Sequence, residues 1–445
     1  MELFGNDKRS LKMLLNVKIS LVMKILTAVM TFLQVPLVLK CLGTYQSGVW
    51  LTISSLILWV DVFDIGLGNG LRNKLAESIA KGCIDEAKDC IASTFYMLAL
   101  IITPIYVIFI FLINNIDVYS LLNIDTIQIP NLRLILSISL TLVCLTFVLK
   151  IIGNVYMGMQ MPSVNNIIQT IGLMIGLIAT YIMYLFDFKS LLGIVIVNIA
   201  APLFIYSVAI PYTFSYKYPQ LRPDISNVKL LVAMKLAKTG VSFFVIQLSS
   251  LFLFASSNAM ISSFFNPATV TPFQIAYKYM SLLTMIFSIF AMPLWSATTD
   301  AYTRNEMSWI RQADKKVGHL MLIIIALFFA MIIFAPVFYH LWIGNDVNIP
   351  FSYTLLLGIY VLIVVYSTRY SFFLNGIGAL RLQLITTTIS AFLFVTISYY
   401  TSMSYHNINV FMIIMILTQL PGVIINKIQF SKILNGRAVG VWKVI

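Results

Sequence analysis

Ile19-Ser-Leu-Val-Met-Lys-Ile-Leu-Thr-Ala-Val-Met-Thr-Phe-Leu-Gln-Val-Pro-Leu-Val-Leu39 decides the architecture. A helix needs about 20 apolar residues to cross a bilayer, and this run supplies them. Lys8, Arg9, Lys12 and Lys18 precede it. A cleavable signal has a shorter apolar core and a small-x-small cleavage site, and neither is present, so the run reads as a retained first spanning helix.

Working outward, eleven more apolar segments follow, at 46–67, 91–113, 132–153, 167–186, 191–213, 239–264, 273–294, 319–340, 352–374, 382–401 and 409–427. The narrowest division is Asp187-Phe-Lys189, a minimal turn. The chain has 445 residues, 60% hydrophobic and 10% charged. Soluble domains run near 45–50% apolar and about 25% charged, so a soluble enzyme and a disordered chain are both excluded. The segments do not alternate apolar with polar residues as barrel strands do, which selects a helical bundle. The expected fold is all-α: a polytopic membrane protein of about twelve transmembrane helices, in two six-helix lobes around a central cavity. The expected division is an N-terminal lobe at 1–213, a cytoplasmic inter-lobe linker at 214–238 and a C-terminal lobe at 239–445.

Lysine and arginine set the orientation. With the N-terminus in the cytoplasm, 23 of the 29 basic residues fall on inner tails and loops, three (Lys40, Arg133, Lys189) on outer loops and three (Lys24, Lys278, Arg369) inside spans. Both termini are therefore expected inside. The net charge of +13 is dispersed over short loops facing anionic membrane lipids, a pattern that argues against a nucleic-acid partner. The longest loops, roughly 68–90, 214–238 and 295–318, are all on the inner side. Ala76–Cys90 and Glu306–Val317 within them mix charged and apolar residues as interfacial helices would.

The two halves look related. A shift of 223 residues lays Glu77 on Asp300, Lys81 on Arg304, Lys88 on Arg311 and Gly153 on Gly376. Halves that begin on the same side form a parallel repeat, the plan of many transporters.

Motifs for soluble chemistry are lacking. Cys41, Cys83, Cys90 and Cys144 have no metal spacing and read as reduced thiols. His319 and His340 bracket one apolar segment and would sit about 30 Å apart on a helix, too far to share a metal. Gly66-Leu-Gly68-Asn-Gly70 has part of a dinucleotide-loop spacing, but it follows a span and not a strand, so the glycines are expected to end the second helix in a sharp turn. Gly172-x-x-x-Gly176 is a helix-packing spacing. Neither a cofactor nor a metal is expected.

The informative residues are ionisable groups inside spans, each costing about 2.5–3.5 kcal/mol or more at the bilayer centre unless it faces a partner or a polar cavity. Lys24, Lys278 and Arg369 are the candidates for a cationic, substrate-binding cavity. Its natural guest is phosphate or pyrophosphate, which arginine grips bidentately and lysine meets as a point charge. The plainer alternatives are snorkelling to the interface and structural pairing, such as Lys24 with Asp61. Asp61 is also the candidate for ion coupling. Trp59, Tyr277, Tyr366 and Tyr370 flank these charges and are candidates for sugar stacking, against the simpler role of core packing.

The stretch Asp64-Ile-Gly-Leu-Gly-Asn-Gly-Leu-Arg-Asn-Lys-Leu-Ala76, with Ala80-Lys-Gly82 and Ala87, resembles the signature after the second helix of bacterial polysaccharide flippases. Pro36-Leu-Val-Leu-Lys-Cys-Leu-Gly43, Gly48 and Trp50 are similar to their first helix junction, and Tyr218-Pro-Gln-Leu-Arg-Pro223 to their mid-chain link. That family belongs to the multidrug/oligosaccharidyl-lipid/polysaccharide exporter superfamily. The resemblance implies a flippase in the bacterial cell inner membrane that moves undecaprenyl-pyrophosphate-linked oligosaccharide units for O-antigen or capsule by alternating access. A polysaccharide polymerase and a chain-length regulator would be partners. The motif at the end of helix two would include Asp64, Gly66, Asn69 and Arg72. The rival within the superfamily is a multidrug/cation antiporter, which would favour acidic residues in its spans. An integral-membrane polymerase or glycosyltransferase would need a larger extramembrane loop than any here. The expectation is a transporter and not an enzyme.

Overall fold

The computed structural model describes residues 8–64, 66–234 and 256–442. Among them there is helix and no strand. The chain divides into two compact units, Met1–Phe244 and Val245–Ile445.

In the first unit, α1 runs Lys8–Val62 and bends at Gly43, where φ is 69° and ψ 178°. No atom lies within 4 Å of where a Cβ would stand there, so the requirement for glycine is the backbone angle itself. The bend divides a 43-residue apolar stretch, Lys18–Val60, about twice the length of one crossing. It separates the first two expected spans. After a turn at Gly66 (φ 76°) come α2 (Leu67–Ala80), α3 (Ile84–Asn115), the short α4 (Val118–Leu122), α5 (Leu132–Leu149) and α6 (Ile151–Gly158). Next are α7 (Pro162–Leu185) and α8 (Leu191–Pro211), which unwinds into a π turn at Tyr212–Lys217 beyond Pro211. Helix α1 packs on α7, α7 on α8, α8 on α5, α5 on α3, and α2 on both α3 and α6.

In the second unit, residues 256–264 are helical, followed by α9 (Pro267–Thr303), α10 (Met307–Ile343), α11 (Phe351–Ile377), α12 (Arg381–Tyr405) and α13 (Ile408–Leu434). Most of the expected seventh span, 239–264, lies outside the described residues. Helix α11 is central: it packs on α9, α10 and α13, and α13 in turn on α12.

The solvent for these helices is lipid. Leu100, Phe111, Leu322, Ile333, Phe334 and Phe392 are all more than 60% exposed, on helices with almost no charge along their middles. Soluble proteins rarely leave contiguous apolar patches larger than a few hundred Å² bare to water. Nine described stretches are long and apolar enough to cross a membrane. The chain is a multi-pass membrane protein.

Two expectations are corrected. Ala76–Cys90 is not one interfacial helix: α2 stops at Ala80, Gly82 (φ 71°) turns the chain, and α3 starts at Ile84. Glu306–Val317 is not a separate element either, because α10 continues from Met307 straight into its span. The turn at Asp187 is as short as expected; Asp187 is left-handed (φ 52°) and its carboxylate pairs with Lys189 at 2.9 Å.

The internal repeat has a structural counterpart. The shift of 223 lays left-handed Gly82 on left-handed Asn305 (φ 61°), and each is followed two residues later by the first residue of a long helix. The close crossings also correspond, at a shifted register. A methyl group on Gly158 would lie 3.1 Å from the Arg72 carbonyl oxygen and 2.9 Å from Leu75. One on Gly376 would lie 2.7 Å from the Trp295 carbonyl oxygen and 2.8 Å from Thr298. Arg72 and Leu75 fall on Trp295 and Thr298 at the 223-residue shift. The partner of Gly376 is therefore Gly158 and not Gly153. Five residues have been lost between the crossing elements in the second half, and a single offset could not show this.

Candidate functional site

Four helices of the second unit carry polar stripes at helical spacing. On α11, Tyr360, Val364, Ser367, Thr368 and Ser371 recur at intervals of three and four, so they share one face. On α12, Gln383, Thr386, Thr387 and Ser390 do the same. Helix α13 contributes Gln419, Gly422 and Asn426, and α9 contributes Tyr277 and Thr284. These faces converge on a half-open cavity of about 330 Å³.

Among the described residues, the walls contain hydroxyls, amides and two phenol rings, with no carboxylate, ammonium, guanidinium or imidazole. Several hydroxyls are satisfied within their own helices: Thr368 Oγ1 donates to the Val364 carbonyl at 2.7 Å and Thr386 Oγ1 to the Leu382 carbonyl at 2.9 Å. Asn426 Nδ2 donates to Ser371 Oγ at 3.3 Å, and the Tyr360 hydroxyl is hydrogen-bonded to Gln419. Two buried acceptors stand apart: Gln383 Oε1 and Asn426 Oδ1 have no hydrogen-bond partner among the described residues. The Tyr277 and Tyr360 rings lie 6.5 Å apart, inclined at 48°.

Arg369 points away from this cavity, towards α10. Its Nε and Nη2 donate to Asp314 Oδ1 at 2.9 and 2.6 Å, and Nη2 also to the Asp314 carbonyl at 2.9 Å. The two side chains are 13% and 25% exposed. The guanidinium also lies 5.2 Å from the centre of the Tyr370 ring. Gly318, one turn beyond Asp314, leaves the room: a methyl group there would touch the guanidinium at 3.4 Å.

No family model matches the chain. A Yersinia pseudotuberculosis protein, provisionally named an O-antigen export protein, is 24% identical over 364 residues, covering 79% of this chain and 80% of the relative. A Salmonella typhimurium protein, provisionally named an O-antigen transporter, is 20% identical over 383 residues, covering 83% and 84%. Among solved structures, a multidrug resistance MATE family transporter of the MOP superfamily, in its inward-facing conformation, superposes with a TM-score of 0.73 at 14% identity, covering 94% of this chain and 96% of that one. An outward-facing structure of such a transporter gives 0.62, also at 14% identity, covering 95% and 96%. The chain has the MATE-type transporter fold. The resemblance read from Asp64–Ala76 and its neighbours is matched by relatives named for O-antigen export.

Within this MATE-type fold the other expected residues fall as follows. Lys278 is partly buried on α9, next to cavity-lining Tyr277 but not itself in the wall, and its carbonyl accepts from Ser281 Oγ at 2.7 Å. Lys24 is exposed on α1, and Trp59 is partly buried further along the same helix. Tyr370 is buried and donates its hydroxyl to that of Tyr366 at 3.2 Å; Tyr366 is also hydrogen-bonded to Lys427. This pair packs beside Arg369 and outside the cavity wall. The side chains of Asp61 and Asn69 lie outside the described residues.

The motif after helix two has a local structural account. Asp64 Oδ1 accepts from Gly68 N at 2.9 Å, while the Asp64 carbonyl accepts from Leu67 N, which closes the turn that starts α2. A methyl group on Gly68 would lie 2.2 Å from Asn154 Nδ2 and 2.8 Å from Asp64 Oδ2, so a side chain there would displace the Asn154 amide and the Asp64 carboxylate. Arg72 is exposed. The sequence reading missed Asp314, which lay in a stretch assigned to the interface. It missed the cavity too, because it followed charges and aromatics and passed over hydroxyls. The stripe Gln383-x-x-Thr386-Thr387-x-x-Ser390 was the available signal.

Proposed function

We propose that the chain is a bacterial polysaccharide flippase that carries undecaprenyl-pyrophosphate-linked repeat units of an O-antigen or capsule across the inner membrane by alternating access, with both termini in the cytoplasm. The observation that carries the reading is the similarity to two O-antigen export relatives over about four-fifths of each chain, on a transporter fold. The glycan head crosses through protein while the prenyl tail stays in lipid. Lys24, Lys278 and Arg369 serve the pyrophosphate. Arg369 already holds Asp314, so it engages a phosphate by exchanging one anion for another. The polymerase and chain-length regulator of the same glycan are its partners downstream.

The solved neighbours are multidrug transporters, which supports a second reading as a drug antiporter. The absence of a carboxylate among the described residues of the cavity wall weighs against a cationic drug there. Deleting the gene in its own host separates the two. A flippase leaves cells without surface glycan and with lipid-linked repeat units retained in the cytoplasmic leaflet. Intact surface glycan together with altered drug susceptibility would establish the antiporter instead.

A further inference from the structure

The cavity of the second unit remains to be explained, since none of the charged candidates lines it. We propose that it is a carbohydrate subsite, which takes a neutral sugar ring of the substrate glycan while the pyrophosphate is held elsewhere. The proposal rests on the flippase reading and adds to it a second, chemically different contact.

Four observations carry it. At about 330 Å³ the cavity is far larger than a metal ion needs and lies at the small end of organic-ligand pockets, which run from roughly 300 to 1,000 Å³. The described residues of its wall carry no formal charge, so they offer a pyrophosphate or a cationic drug no ion pair. Gln383 Oε1 and Asn426 Oδ1 are buried acceptors lacking a donor among the described residues, and each is left unsatisfied until a donor arrives. Sugar hydroxyls are donors spaced a few ångströms apart. Finally, the inclined Tyr277 and Tyr360 rings border the same space, as a sugar's apolar face requires.

The first unit shows that this hollow is not forced by the fold. With Gly158 aligned on Gly376, Gly153 takes the place of Ser371, Leu149 that of Ser367 and Asn165 that of Gln383. There the Asn165 amide drops onto Gly153, so that a methyl group on that glycine would be 2.1 Å from Asn165 Oδ1. The amide that fills a gap in one unit borders an open cavity in the other.

The test uses the full-length protein in lipid nanodiscs. The probe is the host's own repeat-unit oligosaccharide, freed from its lipid by mild acid. Binding is read by calorimetry and thermal stability by melting. Gln383→Met and Asn426→Leu each remove an orphan acceptor. They should weaken the oligosaccharide about tenfold, the equivalent of one hydrogen bond of roughly 1.4 kcal/mol. Gln383→Met should leave the melting temperature unchanged or higher, since it removes a buried polar atom that no described residue satisfies. Thr401→Val, outside the wall, should leave binding unchanged. Unaltered binding in both cavity variants overturns the subsite, and so does wild-type stabilisation by sodium ions but not by the oligosaccharide. A wild-type gene that has no part in glycan export overturns the flippase reading itself, which the gene deletion reports independently.

Discussion

The two units share their corners and crossings but not their interiors. In both, a left-handed residue breaks the chain before a long helix, at Gly82 and Asn305, and a glycine lets two helices touch, at Gly158 and Gly376. In the first unit one polar cluster is knitted across helices. Gln34 Nε2 donates to Thr180 Oγ1 at 3.0 Å and Asn198 Oδ1 at 2.8 Å, Asn198 Nδ2 donates to Thr180 Oγ1 at 3.2 Å, and Thr27 meets Thr170 at 2.9 Å. In the second, amide oxygens are left over and a cavity is left open. The scaffolds correspond while the polar interiors differ: a satisfied network fixes helices in place, whereas an unsatisfied one leaves acceptors open.

The ion pair sharpens the contrast most. At the register set by the corners and crossings, Asp314 corresponds to Ile91 and Arg369 to Ile151, both buried isoleucines. Asp314→Asn alone should therefore lower stability by roughly 1–3 kcal/mol, between the values for exposed and fully buried pairs, because it strands a guanidinium. The double change Asp314→Ile with Arg369→Ile should melt above either single variant, and a double variant less stable than both would sink the comparison. If Arg369 also grips pyrophosphate, the double variant folds but exports no glycan, as measured by surface-polysaccharide gels.

The crossings come next. Gly376→Ala pushes a methyl group against a backbone carbonyl and should cost about 1–3 kcal/mol in thermal unfolding. Gly158→Ala should cost less, because its nearest contact is the movable Leu75 side chain. Equal costs would mean that the two crossings are not packed as described.

Smallest is the effect of acid on the corner between α2 and α3. Lys81 and then Lys74 hold the Glu77 carboxyl below its ordinary range, and Glu86 and Glu77 raise the Lys74 ammonium. A lowered carboxyl pKa adds stability above its unfolded value and loses it as pH falls through the folded one. The corner at 81–87 should exchange its amide hydrogens faster below pH 4, and the effect should shrink in high salt. Glu77→Gln should reduce the dependence, leaving the part carried by Glu86, which Lys74 also holds below its ordinary range.

The architecture was legible because hydropathy is a strong signal over twenty residues. Gly43, Gly66 and Asp187 could be placed at breaks for the same reason. The boundary at Gly82 was not legible, because charged and apolar residues continue across it without a change of pattern. Arg369 stood out as a charge in a span, but its partner did not, since Asp314 lies 55 residues earlier, in a stretch that reads as surface. The cavity was hidden by chemistry: a threonine bonded to the carbonyl four residues back looks apolar to the bilayer, so a stripe of them costs the span little and leaves no mark on its hydropathy.

On the flippase reading, with Arg369 proposed as a pyrophosphate contact, the Arg369–Asp314 clasp would bear on turnover as well as on folding. A bare guanidinium that seized pyrophosphate would be slow to let go. A resident carboxylate competes for the same donors at every moment, so it weakens capture somewhat and hastens discharge by stepping back in as the cargo leaves. On the flippase reading Asp314 acts as a built-in product mimic, which keeps the carrier from becoming a trap.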